Sequence, residues 1–430
     1  MLLIYTQKVT PRIDYIFKHL CTRILGLKVE FTATIEVFIS HQGPKLSYGK
    51  QPLGNELFIQ SHGLLTVQGF EDVEIVVKPW KQSIGFFPTS EKSALPFDIF
   101  AASFYLLSRY EEYLPHVKDP LGRFPASESL AYREGFLRQP VIDLWAYELR
   151  TLLFQNFPDL ELPSRTFQVH NFVEAKRPFE FLQRGVLRNF LGFGNDLWKL
   201  RLRRFFMRIR VLIGWRKDPY DTFTWMLNNT RSSRSKLTVF FLLGEGFSFR
   251  EDFNTKREKF KRVVKYVADY TEVGLVFSYH SLQDYDSLKK EKHFLEEITH
   301  RELKSATNDR QLIQLPYIYR HMVELEIERD CTMFYFDEIG FRAGTCTPFL
   351  FYDLDFEVKT PLIIHPVVGK SLSMRFGKES DIEGTLMRLY NEVKRVDGTF
   401  SFFFSNRDFE QVKENKVWRY LFSQILNVHA

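Results

Sequence analysis

Between residues 166 and 404, short apolar runs alternate with longer amphipathic stretches, and no other property of the 430-residue chain restricts its fold so strongly. The runs lie at 166–169, 237–243, 273–278, 331–335, 362–365 and 399–404, and the helical stretches at 257–270, 293–304, 382–396 and 409–426. A run too short for a helix, then an amphipathic helix, then another run is the pattern of parallel strands joined by crossover helices. Six or seven such units in about 265 residues fit a barrel better than an open sheet, and a barrel presents its reactive side chains at the C-terminal ends of its strands.

Residues 1–164 read differently, as a mixed α/β unit. A strand at 2–5 precedes Thr10-Pro11, which supplies a cap and a first-turn proline to a helix whose apolar positions are Ile13, Ile16, Phe17, Leu20, Ile24 and Leu25. Gly26 ends that helix. Strands are predicted at 56–59, 73–77 and 84–87, and helices at 97–113 and 141–157; Pro158 and Pro163 then mark the boundary with a second unit, 165–430.

With 44% hydrophobic and 26% charged residues, the chain falls outside the disordered and fibrous classes. Its 44 Phe point to large cores or ring-lined grooves. Cys21, Cys331 and Cys346 make no disulfide framework and match no zinc spacing, which fits reduced intracellular thiols. The polar turn directly after Tyr5 leaves no signal-peptide pattern, so a cytoplasmic location is expected.

The net charge of +6 is concentrated. Lys199, Arg201, Arg203, Arg204, Arg208, Arg210, Arg216 and Lys217 fall in 198–217 without an acid, while Trp198, Leu202, Phe205, Phe206, Ile209, Leu212 and Ile213 recur at helical spacing. A basic amphipathic helix is expected within an insertion near 187–217. It suits the headgroup region of an anionic membrane; the other reading is a helix packed on its own domain with a solvated basic face. No motif for specific nucleic-acid recognition accompanies it, and there is no glycine-rich phosphate loop.

Three segments carry a resemblance: 340–349 (Gly340-Phe341-Arg342-Ala343-Gly344 onward), 217–223 (Lys217-Asp218-Pro219-Tyr220-Asp221-Thr222-Phe223), and 93–98 with 108–113. Together they resemble a cytoplasmic branch of the polysaccharide deacetylase (NodB-homology) family that carries an extra N-terminal domain. The resemblance implies a distorted (β/α) barrel of NodB type, with residues 1–164 as a mixed α/β accessory domain. It also implies metal-assisted removal of an acetyl group from a sugar. A divalent metal such as zinc would sit on an Asp and two His, a second Asp would serve as base, a His as acid, and an Arg would orient the base.

Carried over residue by residue, most of that set is altered. Glu174 stands at the base and Lys176 at the metal-binding Asp. An ammonium about 4 Å from a dication is repelled by several kcal/mol at an effective dielectric of about 20. Val276, before Phe277-Ser278-Tyr279, stands at the first metal His and Asp309 at the second. Ser371 replaces an acid after His365-Pro366, and Ser405 replaces the general acid before Asn406. Arg342 alone is intact, and it has a second reading as a turn residue or a partner of Glu174. Glu174 and Lys176, two apart, share one strand face, so the ammonium is placed to fill the lost cation's volume and neutralise Glu174 or Asp309. A displaced metal centre on His280, His365 and Asp309 is the other reading. The degenerate catalytic positions are thus Glu174, Arg342 and Ser405, the pocket equivalents Lys176, Val276, Asp309, Ser371 and Asn406, and no cofactor is expected. These residues predict a carbohydrate-binding or regulatory pseudoenzyme of envelope-glycan metabolism, with a saccharide ligand and contact through 198–217 with the inner membrane face. The alternative is an active hydrolase with an altered catalytic set.

Overall fold

The computed structural model describes residues 1–182, 186–231, 233, 235–247, 254–376 and 381–425. Its first sheet is fully parallel, with order β2-β1-β3-β4, from β1 (Leu2–Tyr5), β2 (Val29–Thr32), β3 (Lys45–Gly49) and β4 (Leu57–Gln60). A hairpin of β5 (Lys78–Trp80) and β6 (Ser83–Gly85) follows. The helix Pro11–Phe17 starts where its cap predicts: the Ile13 amide donates to Thr10 Oγ1 at 3.2 Å. Gly26, at φ +69°, closes the turn that follows, in a left-handed conformation costly for a residue with a Cβ.

The second sheet comprises β7 (Gln168–Ala175), β8 (Lys236–Leu242), β9 (Glu272–Phe277), β10 (Ser305–Asn308), β11 (Arg329–Asp330), β12 (Phe349–Asp353), β13 (Val358–Ile364) and β14 (Thr399–Ser405). Its order is β12-β13-β11-β10-β9-β8-β7-β14, parallel throughout except for β12. After β13 the chain still bonds β11, through His365 N to Asp330 O at 2.8 Å, and then turns onto the free edge of β14. There the Val368 amide donates to Ser401 O and the Phe403 amide to Gly369 O, each at 3.0 Å. This crossing curls the sheet into a distorted barrel. Alternation sorts its side chains: Phe172, Phe240, Val276 and Phe403 meet inside with Cys331, Phe334 and Val367, while Val173, Phe241, Leu275 and Phe404 face the helices.

One hydrophobic cluster runs from Leu2 to Phe422 and joins both halves of the chain. The segment 340–349 is the polar seam between them. Gly340, at φ +147°, lies so close to Leu137 that a Cβ would meet its carbonyl oxygen at 2.4 Å. Thr345 Oγ1 and the Cys346 amide donate to the buried Asp143 carboxylate at 2.6 and 2.9 Å. The Glu112 carboxylate accepts from Arg342 Nε at 2.9 Å, from Arg342 Nη2 at 2.7 Å and from Arg109 Nε at 2.7 Å.

Several expectations are corrected. Residues 73–77 form no strand; Val73, Ile75 and Val77 pack half-buried against the core without a ladder. The run 331–335 is not a strand either, because β11 ends at Asp330, whose carboxylate accepts from the Thr332 amide at 3.0 Å and turns the chain. The helix predicted at 293–304 spans Tyr285–Thr299, capped by Asp284 through the Ser287 amide at 3.0 Å and ended by His300 at φ +54°. The helix predicted at 409–426 is a short α-turn, Lys416–Tyr420, running into a π-turn, Leu421–Ile425.

The single basic helix becomes two, Val186–Trp198 and Leu202–Leu212, broken at Leu200 with φ +52°. The fold gains a buried pair from that break: Arg208 Nη2 meets Asp196 Oδ2 at 2.8 Å, so one member of the presumed solvated face is internal. Among the described residues no helix is long and apolar enough to cross a membrane.

Candidate functional site

At the C-terminal ends of β7 and β14 a cleft of about 310 Å³ opens, bounded by Glu174, Lys176, Lys370, Ser405, Asn406 and the turn to Asn415. Glu174 and Lys176 reach it because they continue the inward face of β7, in step with Phe172 below. Lys176 Nζ stands 2.5 Å from Asp309 Oδ1 and 3.1 Å from Glu174 Oε1. Burial pushes the Asp309 carboxyl up, but the Lys176 and Arg310 cations more than offset this and hold it below its usual range. Burial likewise works against the Lys176 ammonium, and the Glu174 and Asp309 carboxylates raise it overall. Lys176 and Asp309 are therefore held ionised as a close, desolvated pair, with Glu174 on the ammonium's other side.

Ser371 and Ser405 share one carboxylate. Ser371 Oγ donates to Asp408 Oδ2, the Ser405 amide donates to the same oxygen at 2.7 Å, and Arg375 Nη2 meets Asp408 Oδ1 at 2.8 Å. Ser405 Oγ in turn accepts the Arg407 amide at 3.3 Å, capping the turn Asn406–Phe409. Asn406 is fully buried; its Nδ2 donates to Arg177 O and Tyr220 O, both at 2.9 Å, and so fastens 218–222 to the rim. Among the described residues its Oδ1 has no partner.

Lys370, beside Ser371, is the residue that sequence reasoning missed. It is buried, and Nζ donates to Gln311 Oε1 at 2.8 Å and lies 5.1 Å from the Phe336 ring centre. Burial without a contacting carboxylate pulls it down to about 7, although Glu174 and Asp309 act in the other direction. Its place just past β13, where a barrel strand delivers side chains to the opening, is the one signal that marks it in the sequence.

Two of the proposed positions lie elsewhere. Val276 is sealed in the apolar interior beneath the cleft. Arg342 faces the seam between the chain's halves, and its acid partner is Glu112, not Glu174, because 340–344 docks on Leu137 and carries the guanidinium away from the opening. The displaced grouping of His280, His365 and Asp309 is not formed. His365 is enclosed with His170 and Phe172, its Nε2 is 2.8 Å from Ser401 Oγ, and burial pushes it down to about 3. His280 is exposed beside Phe247.

Residues 2–158 match a family of unknown function, DUF7033. No curated protein matches the chain. Among solved structures, a Mycobacterium smegmatis protein assigned as a polysaccharide deacetylase is similar with 11% identity and a TM-score of 0.40, over 63% of this chain and 87% of that one. The 4-alpha-glucanotransferase of Thermococcus litoralis has 12% identity and a TM-score of 0.34, over 60% and 36%. A mutant CE4-family pseudoenzyme with restored enzymatic activity has 10% identity and a TM-score of 0.25, over 56% and 66%.

The divalent metal implied by the sequence resemblance does not fit these residues. Glu174 and Asp309 are the two oxygen donors in reach of one another, and the ammonium between them supplies fixed positive charge and no lone pair. Among the described residues no three His, Cys, Asp or Glu side chains gather as a ligand set.

Proposed function

We propose that the cleft binds a saccharide without deacetylating it, so that the protein acts as a carbohydrate-binding or regulatory pseudoenzyme of envelope-glycan metabolism on a polysaccharide-deacetylase-like scaffold. Residues 165–430 carry the cleft and 1–164 serve as an accessory unit. The observation that carries this is the Lys176 ammonium between Asp309 and Glu174. Charge balance there is met internally, by the ammonium in place of a dication. Recognition needs less: a ring such as Tyr220 beside buried amide and hydroxyl groups suits the mixed apolar and polar faces of a sugar. Glu174, Ser405, Ser371 and Asn406 are then positions that shape the pocket.

The test is acetate release from acetylated chito-oligosaccharides, with elemental analysis of the purified protein and calorimetric titration of the same sugars. No acetate, no stoichiometric metal and measurable saccharide binding are expected. Full-occupancy zinc with chelator-sensitive acetate release would establish the active hydrolase instead.

A specific observation favours a peripheral site at an anionic cytoplasmic membrane face as well. On and beside the two helices after residue 186, Trp198, Leu200 and Trp215 are 83%, 82% and 81% exposed, interleaved with exposed Arg201, Arg203 and Arg210. Apolar side chains among cations are what an anionic headgroup layer accommodates. Co-sedimentation with vesicles containing phosphatidylglycerol, and none with pure phosphatidylcholine, is expected; equal recovery with both, or with neither, removes this reading.

A further inference from the structure

Taking the saccharide reading as its basis, we infer that the ligand of this cleft is an acidic saccharide whose anionic group is met by Lys370 and Arg407. Six cations line the opening: Lys176, Arg177, Arg310, Lys370, Arg375 and Arg407. Four are committed to carboxylates: Lys176 to Glu174 and Asp309, Arg310 to Asp309 at 4.0 Å, Arg177 to Glu180 at 2.9 Å and Arg375 to Asp408 at 2.8 Å. Lys370 and Arg407 have no such partner among the described residues. Of the carboxylates on the lining, Glu174 and Asp408 are the ones engaged in those pairs; Glu410, which burial and the Glu180 charge push up towards its neutral form, and Glu414 make up the rest.

Lys370 is the decisive group. A lysine amine buried with one hydrogen bond, to an amide oxygen, is an unfavourable arrangement that a fold keeps at a cost. Burial holds it near neutrality, at about 7, and an anion entering the cleft would restore the charged form. Arg407 stands at the other side of the requirement: it is exposed, its guanidinium lies 5.2 Å from the Tyr220 ring centre, and it is free to swing onto a ligand stacked there. On the same lining, Asn406 Oδ1 has no hydrogen-bond partner among the described residues and offers an acceptor for a sugar hydroxyl. A buried cation, an exposed one and a buried acceptor on one lining suit a ring that bears both hydroxyls and a negative charge. At about 310 Å³ the space holds one or two sugar rings.

The experiment is calorimetric titration of the full chain with three probes: a galacturonic acid trimer for a carboxylate, N-acetylglucosamine 6-phosphate for a phosphate, and an N-acetylglucosamine trimer as the neutral control. The acidic probe of the right source is expected to bind at least about tenfold more tightly than the neutral one, as a charge-assisted contact in a desolvated pocket requires. Lys370→Met should remove that advantage, so that the acidic and neutral probes bind the folded variant alike. Arg407→Gln, at an exposed site, should weaken the acidic probe by about threefold and flatten its salt dependence. Which acidic probe wins distinguishes carboxylate from phosphate. Neutral binding as tight as acidic, or acidic binding indifferent to Lys370→Met, overturns the inference and leaves the saccharide reading standing; binding of none of the three overturns both.

Discussion

Replacing Arg342 with alanine will destabilise the fold by about 3–5 kcal/mol, the range for removing one partner of a buried ion pair. The guanidinium donates through Nε and Nη2 to both oxygens of Glu112, Nη1 reaches Phe334 O at 3.3 Å, and the Arg342 carbonyl accepts from Arg109. Without it Glu112 stays buried, held by Arg109 alone. Chemical denaturation at pH 7 reads the loss, and saccharide affinity of the folded fraction should be unchanged, because Arg342 faces away from the cleft. A pH series sharpens the test. Burial would raise the Glu112 carboxyl, yet Arg342 and Arg109 bring it down to about 2 from an ordinary 4.5. A group depressed in the folded state contributes stability above its unfolded value and loses it as pH falls towards the folded value. The gap between wild type and Arg342→Ala should therefore be full at pH 6–7 and narrow steadily below about pH 4.5. A gap under about 1 kcal/mol at pH 7 would mean the seam tolerates the lone acid by admitting water.

That outcome bears on what the sequence makes visible. Alternation of short apolar runs with amphipathic helices is legible because the barrel's long parallel strands are buried on both faces, and so β14 and the helix Ile382–Arg395 fall within a residue of expectation. β10 escapes the same criterion. Its residues, Ser305, Ala306, Thr307 and Asn308, are all buried, but three are polar and two of these donate hydrogen bonds, Ser305 Oγ to Glu272 at 2.6 Å and Asn308 Nδ2 to Leu312 O at 2.8 Å. An apolar-run search has nothing to find there. β12 is missed because it is an antiparallel edge with no helix of its own.

The site shows the same division. The pairing of Glu174 with Lys176 is legible because a two-residue spacing on a strand fixes a shared face whatever the fold around it. Asp309 joins them through a long-range contact that local pattern does not encode; only the resemblance suggested it. The motif around Arg342 allows both a degenerate catalytic position and a turn residue; Gly340 and Gly344 pack where two parts of the chain press together, which accords with the second. Lys370 was invisible because a single lysine reads as solvated until tertiary structure buries it.

Lys176→Ala is the second large effect, and it tests the electrostatics on which the functional reading depends. Removing the ammonium leaves Asp309, which is buried, and Glu174 with no cation between them; beside Asp309 Oδ1 remain the Arg310 amide at 2.8 Å and the Arg310 guanidinium at 4.0 Å. A loss of about 3 kcal/mol is expected at pH 7, the cost of an uncompensated buried carboxylate beside a like charge. The sign with pH follows from the same groups. In the wild type Lys176 holds Asp309 below its usual range, so the pair contributes stability that persists to acid and fades as pH falls through that lowered value. In the variant burial is opposed by Arg310 alone, through its charge and its amide, so Asp309 takes a proton more readily and the deficit should shrink towards acid pH as the carboxyl is neutralised. Lys176→Met keeps the stem's packing and deletes only the charge, so it should match the alanine variant's pH dependence while recovering part of the lost stability. Thermal denaturation of the three proteins from pH 4 to 8 decides the matter. Unchanged melting temperatures across that range would show that Glu174 and Asp309 are already solvated or protonated, and the proposal that this ammonium stands in for a dication would fall.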